Sequence, residues 1–398
     1  MSKHWFRKTL HFTGRCKHDQ VKTHIGVKLA IITHVVHGKS DQSYFAYGPY
    51  VREMNLWNQY AGEVIIVAPL TDTAPDPIHL PYTHQRIGFK SVPRFNLLTA
   101  SGILRSALLM PVIFWRVFHT MRQADHIHLR CPGNMGLIGC IVQILFPRKP
   151  KTAKYAGNWD PDAKQPWTYK LQRRILSHTW LTRNMKVLVY GQWPAQSRNI
   201  VPFFTATYRE QDKLATPPRS LTETLKLVFV GTLSPGKRPV YALELAHQLR
   251  LRGHDIRLDF YGEGPERAAL EAFIAHHKLE NVVQLHGNQH EETVRSAYQN
   301  AHFLLLPSRS EGWPKVVAEA MFWGCLPAAT AVSCVSFMLD KGKRGIILHT
   351  DLHRDVAQFE SLVQNPDAYR EKASLALDWS RQYTLERFES AIQKMLVP

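Results

Sequence analysis

The sequence has no run of about 18 apolar residues, so no segment is expected to span a bilayer. It has no paired or clustered cysteines either. The five, Cys16, Cys131, Cys140, Cys325 and Cys334, are scattered and odd in number. No CxxC or His/Cys cluster suggests zinc, and no spacing suggests a disulfide framework, so a reducing, cytosolic compartment is expected. The basic N-terminus lacks an apolar core, which argues against a secretory signal. Internal repeats and low-complexity tracts are absent. Acidic residues are scarce in the first half: residues 1–215 carry 29 Lys and Arg against 11 Asp and Glu, whereas 216–398 carry 21 of each. The whole net charge of +18 therefore falls on the first half. Such asymmetry implies that one domain faces something anionic. The basic residues are spread out rather than interleaved with aromatics, and no nucleic-acid motif is visible, so no nucleic-acid partner is expected. An anionic membrane surface or a lipid-phosphate acceptor fits better.

The longest apolar stretch is "GILRSALLMPVIFWRVFHTMR", residues 102–122. Arg105 and Arg116 interrupt it, and Pro111 is expected to bend or break it. It reads as a buried or half-buried helix pair. Alternatively it is an amphipathic segment lying on a membrane, with Trp115 and Phe118 on one side and arginines on the other.

With 398 residues and 44% hydrophobic content, two domains are expected. After a basic tail (1–25), apolar runs at 27–36, 62–69 and 125–132, then "KTAKYAG" and "MKVLVYG", read as strands separated by helical stretches. That pattern means a parallel sheet covered on both faces, over 26–205. A polar, Pro-containing stretch, 206–224, is the linker candidate. The pattern then restarts over 225–380: strands at 225–231, 255–262, 281–287 and 302–308, each followed by a helix, and a short strand in "CLPAATA". The fold class is α/β, two Rossmann-like doubly wound domains facing across a cleft. A final helix within 381–398 has no following strand and is expected to pack back on the first domain.

In such sheets ligands bind at the carboxyl ends of strands. Two loops of the second domain lie there. "GTLSPGKR" places Lys237 and Arg238 just before a helix N-terminus, where backbone N–H groups and a lysine suit a phosphate. "SRSEGWP" places Glu311 before Pro314, ahead of a nearly all-apolar helix carrying Glu319. A buried carboxylate needs partners, and a vicinal diol, as in ribose, is one. The plainer alternatives are a solvated loop lysine at 237, a surface acid at 311, and a salt bridge from Glu319 to a structural cation.

The stretch "SEGWPKVVAEAMFWGCLP" resembles the E-x7-E donor-binding signature of retaining GT-B glycosyltransferases, in particular family 4. "VFVGTLSPGKRP" and "YGEGPERAALE" are similar to the family's Gly-x-Leu-x-x-x-Lys loop and Gly-x-Gly-Pro segment. The resemblance covers about 225–350 and is architectural in the first half. It implies a GT-B fold and a UDP- or GDP-linked sugar donor held by Gly231, Thr232, Lys237, Arg238, Gly312, Trp313 and Glu319. Glu311 would meet the donor sugar's hydroxyls, Glu319 the ribose, and Lys237 the leaving diphosphate, with the base near 286–292. The family loop usually has Arg where this chain has Thr232, and Gly is common where it has Arg238, which would supply the missing charge. Arg130 and His128 are the acceptor-binding candidates. The resemblance further implies a glycan or lipid-linked acceptor, retention without a metal or other cofactor, and work on surface polysaccharide or glycolipid at the cytoplasmic face of a membrane. A sugar-nucleotide epimerase and a non-catalytic nucleotide-sugar binder are the competing readings.

Overall fold

The computed structural model describes residues 26–40, 43–75, 79–95, 100–194, 196–217, 219–221 and 223–396, without the side chains of 100–107. The expected basic tail, with Cys16, lies outside the described residues. The first half contains β1 (Lys28–Ile32), β2 (His37–Lys39), β3 (Tyr44–Tyr47), α1 (Gly48–Asn58), β4 (Glu63–Thr71), β5 (His79–Pro81), β6 (Ile87–Val92) and α2 (Ala100–Gln123). It continues with β7 (His126–Cys131), α3 (Asn134–Val142), β8 (Lys151–Tyr155), α4 (Trp167–Leu176), β9 (Met185–Tyr190) and β10 (Ile200–Phe203). The second half contains β11 (Leu225–Val230), α5 (Pro239–Leu251), β12 (Ile256–Tyr261), α6 (Arg267–His276), β13 (Val283–Leu285), α7 (Glu291–Asn300) and β14 (Phe303–Leu306). Then come α8 (Lys315–Phe322), β15 (Leu326–Thr330), α9 (Val335–Met338), β16 (Ile346–Leu348), α10 (Leu352–Gln364), α11 (Pro366–Ser380) and α12 (Leu385–Leu396).

Strands β1 and β14 are mainly apolar runs buried on both faces, as central parallel strands must be, and β7 and β8 are equally buried although they carry His, Arg and Lys side chains. In the first sheet β10, β9, β8, β7, β1, β4 and β6 pair in parallel in that spatial order. Register is set by contacts such as Ile31 beside Ile66 and His128. The second sheet runs β13-β12-β11-β14-β15-β16, also parallel throughout. Both sheets therefore reverse their winding once, between β1 and β7 and between β11 and β14. At such a switch point the two carboxyl-end loops diverge and leave a crevice.

Three sequence expectations need correction. The run 27–36 is a strand only to Ile32; the chain then leaves the sheet and forms the antiparallel ribbon β2–β3–β5, tied to the tip of β4. The stretch 102–122 is one continuous helix, α2, with Pro111 inside it, not a pair. Pro111 lies on the exposed side, beside Leu108 and Val112, where water can satisfy the carbonyl freed by the missing N–H. Helices α10 and α11 carry no strand-and-loop punctuation and escaped the sequence reading; α10 packs on α5, and α11 on α8 and β15.

Helix α12 returns to the first unit and packs on α1. Its Phe388 and Ile392 are fully buried, Phe388 against Phe203 and Phe204 at centroid distances of 5.4 and 5.7 Å. Truncating Phe388 leaves a cavity at this junction. Phe388→Ala should lower unfolding free energy by about 3–5 kcal/mol in a urea titration. A loss below 1 kcal/mol would show that α12 does not hold the two halves together.

Candidate active site

The loops after β11, β12 and β13 are pressed backbone to backbone. Gly231 (φ 145°) and Gly262 (φ 143°) lie so close that a Cβ on Gly262 would sit 2.0 Å from the Gly231 carbonyl oxygen. Gly264 faces the Leu233 backbone in the same way. Hydrogen bonds from Leu233 N–H to the Glu263 carbonyl (2.9 Å) and from Gly262 N–H to the Gly287 carbonyl (2.8 Å) lock the three loops side by side. The glycines are thus required by close approach. They bring the Lys237 loop and the 286–292 loop to one edge.

Across the switch point, β14 ends in Pro307 and the chain runs through Glu311 to Trp313. Gly312 is wedged against the first unit: a Cβ would meet the Ala156 carbonyl oxygen at 2.7 Å. Its own carbonyl accepts from the Ser333 hydroxyl (3.3 Å) and the Cys334 thiol (3.0 Å). Trp313 is buried and its ring lies among Tyr190, Trp379 and Tyr383, so only its backbone is available to a ligand. This fixed loop aims Glu311 at Lys237, with Nζ to Oε1 2.5 Å. Lys237 remains partly open to solvent, whereas the Glu311 side chain is largely covered.

Glu319 projects from α8 toward the segment 206–224. The Thr207 hydroxyl donates to it at 2.7 Å and the Tyr298 hydroxyl at 3.4 Å. Burial raises its pKa, and Lys315, one turn earlier on the helix, pulls it down. Among the described residues no ion pair holds Glu319. The salt-bridge alternative therefore fails, and what surrounds this carboxylate is hydroxyl donors. Thr207 comes from the stretch read as linker, which the sequence gave no reason to place here. His286, in the 286–292 loop, is hydrogen-bonded to Asp259 (2.7 Å) and stacked on Tyr261 (4.6 Å).

The structure separates the other candidates. Gly231 and Thr232 sit beside Lys237, but the Arg238 side chain turns toward the Pro307 carbonyl (3.4 Å), on the β14–β16 side. His128 is completely buried, donating to or accepting from the Thr152 hydroxyl (2.8 Å) and lying 4.2 Å from the Trp57 ring centroid; burial pushes its pKa well down. It has no surface to offer an acceptor, because residues two apart on a buried strand share one covered face. Arg130 is ion-paired with Glu53 of α1. Glu53 also holds Lys154 (2.8 Å), whose ammonium lies over the Tyr190, Phe203 and Phe388 rings. Burial alone would raise the Glu53 pKa, but Arg130 and Lys154 outweigh it and bring it to about 2. Burial lowers Lys154 to about 8 against the pull of Glu53. His34, just beyond β1, was missed by the sequence reading; it stands against Gly133 at the first switch point, and burial and Arg130 lower its pKa. The signal was its place two residues beyond the first strand of the sheet.

An Asp-x-Asp pair is present, Asp160 and Asp162, but the Asp160 carboxylate accepts the Asp162 backbone N–H (2.9 Å), a local turn. Among the described residues no group of three or more His, Cys, Asp or Glu side chains could hold a metal ion.

Residues 211–375 match the model of the family "Glycosyl transferases group 1". An alpha-D-kanosaminyltransferase of Streptomyces kanamyceticus is 28% identical over 142 residues, 35% of this chain and 37% of that protein. WcaL of Escherichia coli (strain K12), provisionally named a colanic acid biosynthesis glycosyltransferase, is 28% identical over 189 residues, 46% of this chain and 45% of that protein. The matched stretches thus span less than half of either relative. The solved structure of Anabaena Alr3699/HepE, in complex with UDP and glucose, superposes with a TM-score of 0.65 at 13% identity, covering 93% of this chain and 99% of that one. That likeness shows the fold, which is GT-B.

The Glu53 cluster makes its own prediction. A carboxylate whose pKa is depressed from 4.5 to about 2 contributes stability that is present above pH 4.5 and lost as pH falls toward 2. Glu53→Gln leaves two buried cations without their counter-charge and should lower stability by about 3–5 kcal/mol at pH 7. It should also flatten the slope of stability between pH 4.5 and 2. An unchanged slope in a pH series of urea melts would remove Glu53 from that role.

Proposed function

We propose that this chain, which carries a group 1 glycosyltransferase domain on a GT-B fold, transfers a hexose from a UDP- or GDP-linked donor to a glycan or lipid-linked acceptor, with retention at the anomeric carbon. The observation that carries the reading is the Lys237–Glu311 pair at the β11/β14 switch point, with hydroxyl-bound Glu319 on the following helix. Breaking the sugar–diphosphate bond puts negative charge on the diphosphate and positive character on the sugar ring. Lys237, with the first N–H groups of α5, would receive the phosphate charge, and Glu311 would accept the sugar's hydroxyls. The two side chains neutralise each other in the absence of donor and exchange that contact for the two ends of the bond to be broken. Glu319 would exchange the Thr207 and Tyr298 hydroxyls for those of the ribose. Lysine and a helix N-terminus supply this electrostatic work without a metal or other cofactor. UDP bound in Alr3699/HepE favours a uridine donor as the first to test.

The epimerase reading needs further carboxylates in the first unit, and Glu53 is tied to Arg130 and Lys154. No observation favours the non-catalytic binder. Surface polysaccharide or glycolipid synthesis at the cytoplasmic face of a membrane is the setting we propose. No described helix is long and apolar enough to cross a membrane. A stripe on α2, Leu108, Val112, Trp115, His119 and Arg122, faces solvent, with Leu108 84% and Trp115 64% exposed. That pattern suits docking on an anionic bilayer.

Two measurements test these statements. Full-length protein incubated with UDP- and GDP-sugars should release nucleoside diphosphate slowly, and Lys237→Ala should reduce that release on the order of 100-fold or more without changing the melting temperature; near-normal turnover in the variant would overturn the assignment. The protein should co-sediment with phosphatidylglycerol-containing vesicles more than with phosphatidylcholine ones, and Trp115→Ser should weaken this. Equal recovery with both lipids would exclude the docking face.

A further inference from the structure

The β14–β16 side of the second sheet opens on a cavity of about 760 Å³ that the donor chemistry leaves unused. Its wall includes Lys164 from a loop of the first unit and Arg238, Ser308, Arg309, Thr330 and His349 from the second. An adjoining cavity of about 340 Å³ shares Arg238 and Arg309 and adds Glu266. Beneath lies Asp355, wholly buried, whose two oxygens accept the backbone N–H groups of His349 (2.9 Å) and Thr350 (3.0 Å) and the Tyr241 hydroxyl (2.6 Å). That carboxylate is fully engaged in fixing the loop. Among the described residues, no carboxylate pairs with Lys164, Arg238 or Arg309. The wall is therefore cationic, with Glu266 at one rim.

Two independent features show that the cavity is built rather than incidental. Arg238 has φ 52°, a left-handed conformation that glycine adopts freely and an arginine does not. The chain keeps a long cation where a relaxed residue would fit, and the Pro307 carbonyl holds its guanidinium at the cavity. Ser308, 0% exposed, has a hydroxyl with no hydrogen-bond partner, and it lies in the same wall. A buried hydroxyl left without a partner is rare, because its desolvation is not compensated. Lys237 does not line this cavity, which is therefore distinct from the place the proposed function gives the diphosphate beside Lys237. Its volume is that of a sugar-sized ligand, not of a lone ion.

Resting on the transferase reading, we infer that this cavity is an anion subsite, which takes an acidic substituent, carboxylate or phosphate, of a sugar substrate. Arg309 and Arg238 would meet its charge, Lys164 would approach it from the first unit, and Ser308, whose hydroxyl is covered in this structure, would donate to one of its oxygens after its side chain turns outward. The substituent belongs either to the acceptor or to the donated sugar.

Calorimetric titration of the full chain at fixed ionic strength tests this with glucose, glucuronate and glucose 6-phosphate, each with and without UDP. An acidic sugar should bind at least tenfold more tightly than glucose. Arg309→Gln should cost at least fivefold of that preference, Arg309→Lys should retain most of it, and UDP affinity should be unchanged in both. Binding of the acidic sugar alongside UDP assigns the subsite to the acceptor. Tighter binding of UDP-glucuronate than UDP-glucose, lost in Arg309→Gln, assigns it to the donor. Equal affinity for glucose and the acidic sugars, an unaltered preference in Arg309→Gln, or displacement of the acidic sugars by UDP would each overturn the inference. Failure of the wild-type chain to bind any UDP- or GDP-sugar would instead remove the transferase reading, and the anion result would still be read from the UDP-free titrations.

Discussion

Two buried cations sharing one buried carboxylate is the constraint on which the rest of this molecule depends. Arg130 and Lys154 stand at the carboxyl ends of adjacent strands, and Glu53 reaches both from α1. The cluster carries a surplus positive charge out of water, which is tolerable only with further compensation. The compensation is aromatic: Arg130 lies 5.3 Å from the Tyr50 ring centroid, and Lys154 lies within 5.1–5.4 Å of three rings. One of those rings, Phe388, arrives from the last helix. The charge cluster therefore binds the C-terminal crossing to the first unit, and losing either loosens the other. Lys315 of the second unit also acts on Glu53, so the cluster senses the opposing wall of the cleft.

The second switch point solves a different problem. It must keep a lysine and a glutamate available while no ligand is bound. Pairing them with each other at 2.5 Å does so, because neither carries an uncompensated charge and solvent still reaches Lys237, although the Glu311 side chain is largely covered. A ligand with an anionic end and a hydroxyl-bearing end separates the pair without leaving either charge bare. A simple anion would satisfy Lys237 and strand Glu311. On the proposed reading, the pair would select for ligands that combine both ends. Glu319 follows the same rule with neutral donors: its present partners are hydroxyls, and on the proposed reading a diol would replace them like for like.

The second unit was the more legible half. Its loops sit where strand ends and glycines predicted, because Gly231, Gly262 and Gly264 are dictated by backbone proximity, which leaves a mark in sequence. Glu311 and Glu319 were singled out through their spacing around a Pro-led helix, and Gly312 through the family resemblance. What the sequence could not show was pairing. Nothing in "DHIHLRCP" tells that His128 points into the core or that Arg130 meets Glu53, 77 residues earlier. Arg238 read as a second phosphate cation beside Lys237, but its positive φ turns it to the other side. The ribbon β2–β3–β5 was missed because its strands are three or four residues long and polar at their ends.

The charge asymmetry acquires a location that separates attachment from chemistry. Arg148, Lys151, Arg183, Lys186, Arg198 and Lys394 surround a groove of about 1310 Å³, with Asp125 as an acid on its wall. The groove also touches His126, Thr152 and Met185, at the starting ends of β7, β8 and β9. The cleft lies at the opposite, carboxyl ends. A strand of five or six residues separates the two by roughly 17–20 Å, about two Debye lengths at physiological salt. These cations therefore contribute little to the field at a substrate in the cleft. Their repulsion is sustained in the free protein only by solvent and counter-ions, and an anionic surface would relieve it. Part of the charge excess thus lies at this end of the molecule, while Arg130, Lys154 and Lys237 at the carboxyl ends already have their counter-charges in place.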